Sequence, residues 1–395
     1  MREELALYGG ERTAPDPFPP WPQFAERTFL DIQEPLRSGR VAAWSGERCK
    51  ELEGRWAAWN GTRFAVSCSS GTAALHLALL GLGIGPGDEV ILPSHTFFST
   101  TLAVLHTGAR AVFADVAEDQ TLDPRGIPAL MGPRTRAIVA VHLYGVVCAM
   151  DRIRQIAQAA GIKVLEDCAQ CVGGEMDGRM AGSLGDAGCF SFSEGKHICA
   201  AGEGGMVVTD REDLALACRS LRDYGRDPLV TSSPPHVRVG YNYRMTEIQG
   251  IVARNELDRL DSWNLTRRRG FARTYDHAFS QLPGVKAVPL DSQHRRNAYW
   301  KYPLQLDLAR LACPGDEVRE ALSAEGVPGR LDAVPESYPE PALASGDGAP
   351  EGRRCPTAEA LRQGTVLLSL PPSWERSHIE LCVAAVKKVL RAYRR

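Results

Sequence analysis

Long apolar runs are missing from this sequence. No stretch approaches the length a membrane span requires, so no membrane partner is expected. An excess of one charge sign is missing too: Lys+Arg 46 against Asp+Glu 48 leave a formal net charge of −2. Neither a polybasic patch nor an acidic tail disturbs that balance, which argues against nucleic acid as a partner. The first residues, Met-Arg-Glu-Glu-Leu, lack the basic-then-apolar order of a secretion signal. The 11 cysteines, an odd number, are scattered through a long chain, a usage expected of reduced thiols in a cytoplasmic protein. Cys168 and Cys171 have C-x-x-C spacing, but no second pair accompanies them, so no metal site is expected. The P-loop signature and the Gly-x-Gly-x-x-Gly fingerprint are also absent.

Lysine is scarce where arginine is plentiful. Between Lys50 and Lys286 there are only Lys163 and Lys196. Lys196 lies in a turn of small residues, hemmed by Gly195 and Ala200-Ala201, between two apolar runs, Cys189 to Phe192 and Met206 to Thr209. A lysine held between two strands deprotonates readily when buried, and its amine then condenses with carbonyls. On this stretch alone an ordinary turn lysine fits as well.

A chain of this size buries a large core and is expected to form about two domains. Residues 1–45 read as a Pro- and Trp-rich arm followed by a helix near Phe29–Ser38, 46–255 as a large domain, and 256–395 as a smaller one. Helical spacing runs from Cys49 to Asn60. A strand at Phe64–Cys68 then meets Ser69-Ser70-Gly71-Thr72 and a helix from Ala73 to Leu82. Strand, small polar turn and helix make an anion site, although capping by Thr72 alone explains the same residues. Strands at Glu89–Leu92, Ala111–Ala114, Ala137–His142 and Lys163–Asp167 alternate with helices at Thr96–His106 and Met150–Ala160. That rhythm predicts a mostly parallel sheet covered on both faces, with ligands outside the carboxyl ends of its strands. Further on, helices are expected at Glu212–Arg222, about Thr246 to Leu282, Asp316–Glu325 and Ser377–Tyr393. Strands are expected near Val285–Val288 and Tyr299–Gln305. Residues 337–352, rich in Pro, Gly, Ala and Ser, read as mobile.

An acid and a lysine after successive strands, beside an anion-binding turn, fit pyridoxal 5′-phosphate. Its aldehyde needs an amine, its ring nitrogen an acid, and its phosphate N–H and hydroxyl donors. Lys196, Asp167, and Gly71-Thr72 with Ser191 meet those needs in that order, and Phe97 or Phe98 is available to cover the ring.

Taken together, Ser69–Leu75, Pro93–Thr100, Val141–Gly145, Leu165–Gln170, the Lys196 stretch and Gly240–Gln249 resemble the DegT/DnrJ/StrS aminotransferases. The resemblance implies an α/β, aspartate-aminotransferase-like fold (fold type I of the pyridoxal-phosphate enzymes). It implies a large domain with a mostly parallel sheet and a smaller α+β C-terminal domain. It also implies transfer of an amino group from glutamine or glutamate to a keto-sugar or keto-cyclitol, in aminosugar or aminocyclitol antibiotic biosynthesis. Carried over by position, Lys196 bonds the cofactor and shuttles protons, Asp167 pairs with the ring nitrogen, and Gln170 lies near the ring hydroxyl. Gly71, Thr72 and Ser191 hold the phosphate, Phe97 stacks on the ring, and Asn242 reaches the phosphate of a neighbouring subunit in a homodimer with shared sites. Arg244 is a candidate for the donor carboxylate, or a surface arginine at a helix start. The 194–205 stretch leans toward inosose aminotransferases and aminohydroxybenzoate synthases. A dehydratase of the same family is the alternative, but such members have histidine where Lys196 stands. A non-catalytic regulatory protein of the same fold is a further one.

Overall fold

The structure, a computed structural model, describes residues 2–15, 17–286, 291–343 and 354–395. Seven short strands form its main sheet: β1 (Phe64–Cys68), β2 (Glu89–Pro93), β3 (Arg110–Ala114), β4 (Thr135–Val141), β5 (Lys163–Asp167), β6 (Ala187–Ser191) and β7 (Gly205–Thr209). Across the sheet the order is β3-β2-β4-β5-β6-β7-β1. Strands β3 to β6 pair in parallel, while β7 runs antiparallel to both β6 and β1.

The strand sequences explain why the sheet is a central layer. In Glu-Val-Ile-Leu-Pro of β2 every residue is buried, the continuous apolar pattern of a strand covered on both faces. Successive side chains point to opposite faces. Val90, Leu92 and Val139 therefore join one core with Leu77 and Leu165, while Ile91, Ile138 and Ala140 join another with Trp56 and Phe190. The helix Gly71–Gly81 is buried along almost its whole length. Its near-uniform apolar composition suits a helix enclosed by the fold rather than one lying on its surface.

The C-terminal part builds a three-stranded antiparallel sheet from β8 (Val285–Lys286), β9 (Tyr302–Leu306) and β10 (Thr365–Leu368). Helices Gly315–Ala324 and Arg376–Tyr393 pack into the same core, with Val318, Leu322, Val386 and Leu390 buried there. The N-terminal segment is less free than its proline content suggests. Leu5 is buried in this C-terminal core. The carboxylate of buried Glu325 accepts from the Ala6 and Thr13 N–H groups, both at 2.9 Å.

Several expectations need correcting. The long helix breaks: Glu247–Asp258 is followed by a π-helical segment, Leu260–Leu265, and then by Thr266–Phe279. A locally widened helix of this kind interrupts the normal hydrogen-bond ladder and redirects the axis. The expected helix near Phe29–Ser38 is two short ones, Glu26–Asp31 and Gln33–Ser38. The strand expected to begin at Tyr299 begins at Tyr302, because Tyr299 takes a left-handed φ of 56°. Helix Pro356–Gly364 and β10 carried no expectation. Of the mobile stretch, residues 344–352 lie outside the described residues, as do Ala287 and Val288 of the expected strand. Residues 337–343 are anchored: Ser337 N–H donates to Ser94 O at 2.7 Å, and Leu343 is buried.

Candidate active site

The carboxyl ends of β5, β6 and β1 bring the functional residues together. Asp167 closes β5 and is buried. Its Oδ2 accepts from the Thr100 hydroxyl at 2.8 Å, and its Oδ1 accepts from the Ala169 N–H at 3.0 Å. Thr100 and Thr96 hydroxyls lie 3.0 Å apart, extending the chain of hydrogen bonds away from the acid. Both carboxylate oxygens are thus held in one orientation, with acceptor capacity to spare.

Lys196 stands in the turn between β6 and β7. Its N–H donates to Ser193 O at 3.0 Å, and Trp21 Nε1 donates to its carbonyl at 3.0 Å. The side chain is half-buried, with Nζ 4.7 Å from the centre of the Trp300 ring. Desolvation of the ammonium pushes its pKa down to about 8, while the charges of Asp167 and Glu203 pull it upward. Burial prevails, because an ammonium loses more hydration there than those neighbours return. His197 turns the other way. It is fully buried, its Nε2 lies 3.1 Å from Ala298 O, and burial drives its pKa well below the usual histidine value.

The anion turn has a different cap from the one expected. The Ser70 side chain, not that of Thr72, accepts from the Ala73 N–H at 3.1 Å and caps helix Gly71–Gly81. Thr72 therefore sits in the first turn without capping duty. A Cβ on Gly71 would lie 2.6 Å from Ser191 Cβ, and one on Gly205 would lie 2.3 Å from Ser70 O. These glycines keep a concave site open at a helix N-terminus, beside a serine hydroxyl, which is the donor set a phosphate requires. The amine, the acid and this cradle fit pyridoxal phosphate.

A cavity of about 890 Å³ opens beside Lys196, and Phe97 and Gln170 share its lining. Phe97 is 60 % exposed. Gln170 is fixed by its Oε1, which accepts from the Tyr144 N–H at 2.8 Å. Asn242 and Arg244 do not line this cavity. Asn242 is exposed and bridged through its backbone to Asp223; it does not cap the following helix, whose cap is the Thr246–Gln249 box. Arg244 pairs with Asp223 at 2.6 Å and lines a separate groove. Sequence reasoning passed over Trp21, Thr100, Arg268, Trp300 and Lys301. Trp21, Arg268, Trp300 and Lys301 line the cavity from distant parts of the chain, and no local spacing marks them.

Cys168 and Cys171 are buried thiols whose pKa values burial pushes up. The Cys168 thiol lies near His142 and Glu166, a grouping compatible with a metal by distance alone. Two of the three donors are otherwise engaged. Glu166 accepts from the N–H groups of Gly182, Leu184 and Gly185 and lies 2.9 Å from His142 Nε2; His142 Nδ1 accepts from the Cys148 N–H.

The model of the DegT/DnrJ/EryC1/StrS aminotransferase family matches residues 22–387. A UDP-N-acetyl-3-dehydro-alpha-D-glucosamine 3-aminotransferase of Acidithiobacillus ferrooxidans is 37% identical over 347 residues, covering 87% of this chain and 89% of that protein. A dTDP-3-amino-3,4,6-trideoxy-alpha-D-glucose transaminase of Streptomyces venezuelae is also 37% identical, with 91% of each chain covered. Among solved structures, an aminotransferase from Psychrobacter cryohalolentis superposes with a TM-score of 0.90 at 32% identity, covering 95% of this chain and 99% of its own. The chain therefore belongs to the DegT/DnrJ/EryC1/StrS family and is a pyridoxal-phosphate-dependent transaminase.

Proposed function

We propose that the enzyme transfers an amino group from glutamine or glutamate to a keto-sugar, with a nucleotide-linked keto-sugar as the first candidate and a keto-cyclitol as the second. The observation that carries the reading is the trio at the strand ends: Lys196 with its pKa down to about 8, Asp167 held by Thr100, and the cradle of Gly71 and Ser191. The relatives described above, a UDP-sugar and a dTDP-sugar aminotransferase, favour the sugar over the cyclitol.

When bound, pyridoxal phosphate supplies an aldehyde that takes up an amino group and a ring that accepts electrons from a breaking C–H bond. The residues of the chain do the rest. Gly71, Thr72 and Ser191 would hold the phosphate, and Asp167 would keep a proton on the ring nitrogen. Gln170 would face the ring hydroxyl, and Phe97, which lines the cavity, would stack on the ring. Lys196 would hold and release the proton taken from the substrate, a task suited to an amine whose pKa is down to about 8.

We further assign a homodimer in which Asn242 donates to the partner's cofactor phosphate. Exposed apolar side chains support an interface here: Val239 is 89 % exposed, Leu229 73 % and Trp44 74 %. Arg244, held by Asp223, borders the same groove as Trp44 and remains a candidate for the donor carboxylate across that interface. The free cysteines, nearly all buried, suit a reducing cytoplasm.

The test is to incubate purified protein with a panel of nucleotide-linked keto-sugars and keto-cyclitols, each with glutamine and with glutamate. An amino-sugar product in the parent, absent in Lys196→Ala, supports the reading. Borohydride reduction of the loaded enzyme fixes the cofactor mass on the Lys196 peptide. An aminated cyclitol with no aminated sugar selects the second candidate; no aminated product from any member of the panel, or cofactor mass on another lysine, overturns the reading.

A further inference from the structure

The π-helical segment Leu260–Leu265 does more than bend the chain. It turns Asn264 toward the catalytic turn, where Asn264 Nδ2 donates to His197 O at 2.6 Å. One helical turn later stands Arg268, which is 2 % exposed and shares the lining of the Lys196 cavity. Its Nε donates to Asn264 Oδ1 at 2.7 Å, and its Nη1 donates to Trp300 O at 3.1 Å. Among the described residues no carboxylate pairs with this guanidinium, and its Nη2 has no hydrogen-bond partner. A buried charge without a counter-ion is costly, and the fold tolerates it where a ligand supplies the opposite charge.

A second cation stands beside it. Lys301, from the residue before β9, also lines the cavity and donates to Ser369 Oγ at 2.7 Å, with no acid paired to it among the described residues. Burial, and then the charge of Arg268, push its pKa down to about 8. The Lys301 ammonium lies 5.8 Å from the Trp300 ring centre and that of Lys196 lies 4.7 Å from it, so both cations flank one indole. Asp332 is the acid of the lining with a cation of its own, paired with Arg319 at 3.2 Å. Glu340 lines the cavity as well. Trp21, Trp300 and Trp374 make most of the remaining wall apolar and aromatic.

We propose that Arg268 and Lys301 form an oxyanion subsite that seats the charged end of a substrate, a carboxylate or a phosphate, within reach of Lys196. This deepens the transaminase reading and rests on it for the molecule that carries the anion. Arg268 presents a planar fork fixed by Asn264 and Trp300, and Lys301 adds a point charge; the pair suits either oxyanion. The source is either the carboxylate of the amino donor or the phosphate of an activated sugar.

Calorimetry on the cofactor-loaded protein separates the two. Glutarate serves as the unreactive carboxylate probe and inorganic pyrophosphate as the phosphate probe, each titrated into parent, Lys301→Gln and Arg268→Lys. Lys301→Gln keeps a donor for Ser369 and removes only the charge; its half-buried position keeps it testable where the arginine variant fails to fold. One probe is expected to bind the parent and to weaken about 10-fold or more in Lys301→Gln, with the other unchanged, which names the source. In turnover, KM rises for the substrate carrying that group while kcat stays near the parent value. Neither probe binding the parent, or Lys301→Gln binding both as the parent does, overturns the subsite. Because the titration needs no turnover, it fails independently of the transaminase reading, whose own failure is absence of product from the substrate panel.

Discussion

The amine of Lys196 offers the sharpest quantitative test, because two measurements on one variant must move in opposite directions. With its pKa near 8, about 10 % of this amine is neutral at pH 7, against roughly 0.03 % for a lysine titrating at 10.5. In the cofactor-free protein Lys196 should therefore react with an acylating reagent roughly 300-fold faster at neutral pH than an unperturbed lysine of similar access. The midpoint of its pH profile should lie near 8. Asp167→Asn removes one of the two charges that hold the proton on. The midpoint should then fall further, and acylation at neutral pH should accelerate. In the loaded enzyme the same variant deprives the ring nitrogen of its acid, and turnover should drop at least ~100-fold. A variant that merely loosened the fold would expose Lys196 to water and raise its midpoint. The assay is competitive acetylation across neutral and alkaline pH, read by mass spectrometry of the Lys196 peptide, beside steady-state rates. A parent midpoint near the ordinary lysine value refutes the reasoning, as does a midpoint that stays or rises in Asp167→Asn. The sign for stability follows: a lowered folded-state pKa means that the unfolded chain binds more protons between about 8 and 10.5, so the cofactor-free fold gains stability as pH rises through that window.

Two further outcomes are expected. Gly71→Ala places a Cβ 2.6 Å from that of Ser191, so cofactor affinity should fall at least ~10-fold, together with a lower melting temperature from the overpacked contact; equilibrium dialysis of the cofactor on the folded variant checks this, and unaltered affinity would remove the phosphate from that cradle. Lys196→Ala and Asn242→Ala subunits, each inactive as homodimers, should regain activity when mixed and exchanged, since one of the two sites is then intact; continued inactivity after verified exchange rules out a site shared through Asn242.

Much of this protein is written locally. Continuous apolar runs such as Val-Ile-Leu in β2 can settle only between two layers, so the covered sheet is legible before any coordinate is known. The Ser-Ser-Gly-Thr turn at a helix start, the acid that ends β5 and the lysine between β6 and β7 are short-range arrangements, and their chemistry is readable from residue type and neighbours. The structure places them side by side because parallel strands deliver all their carboxyl ends to one edge. The parts that escaped the sequence depend on long-range packing. Whether Ser70 or Thr72 caps the anion turn depends on backbone angles, not on which hydroxyl residues are present. The break after Asp258 has no proline to announce it; a π-helical segment, with Asn264 bound to the carbonyl of His197, sets it. Arg268 and Lys301 read as two more cations in a chain rich in them. Only the folded chain, by burying Arg268 without an acid and setting both against the ring of Trp300, distinguishes them from surface charge.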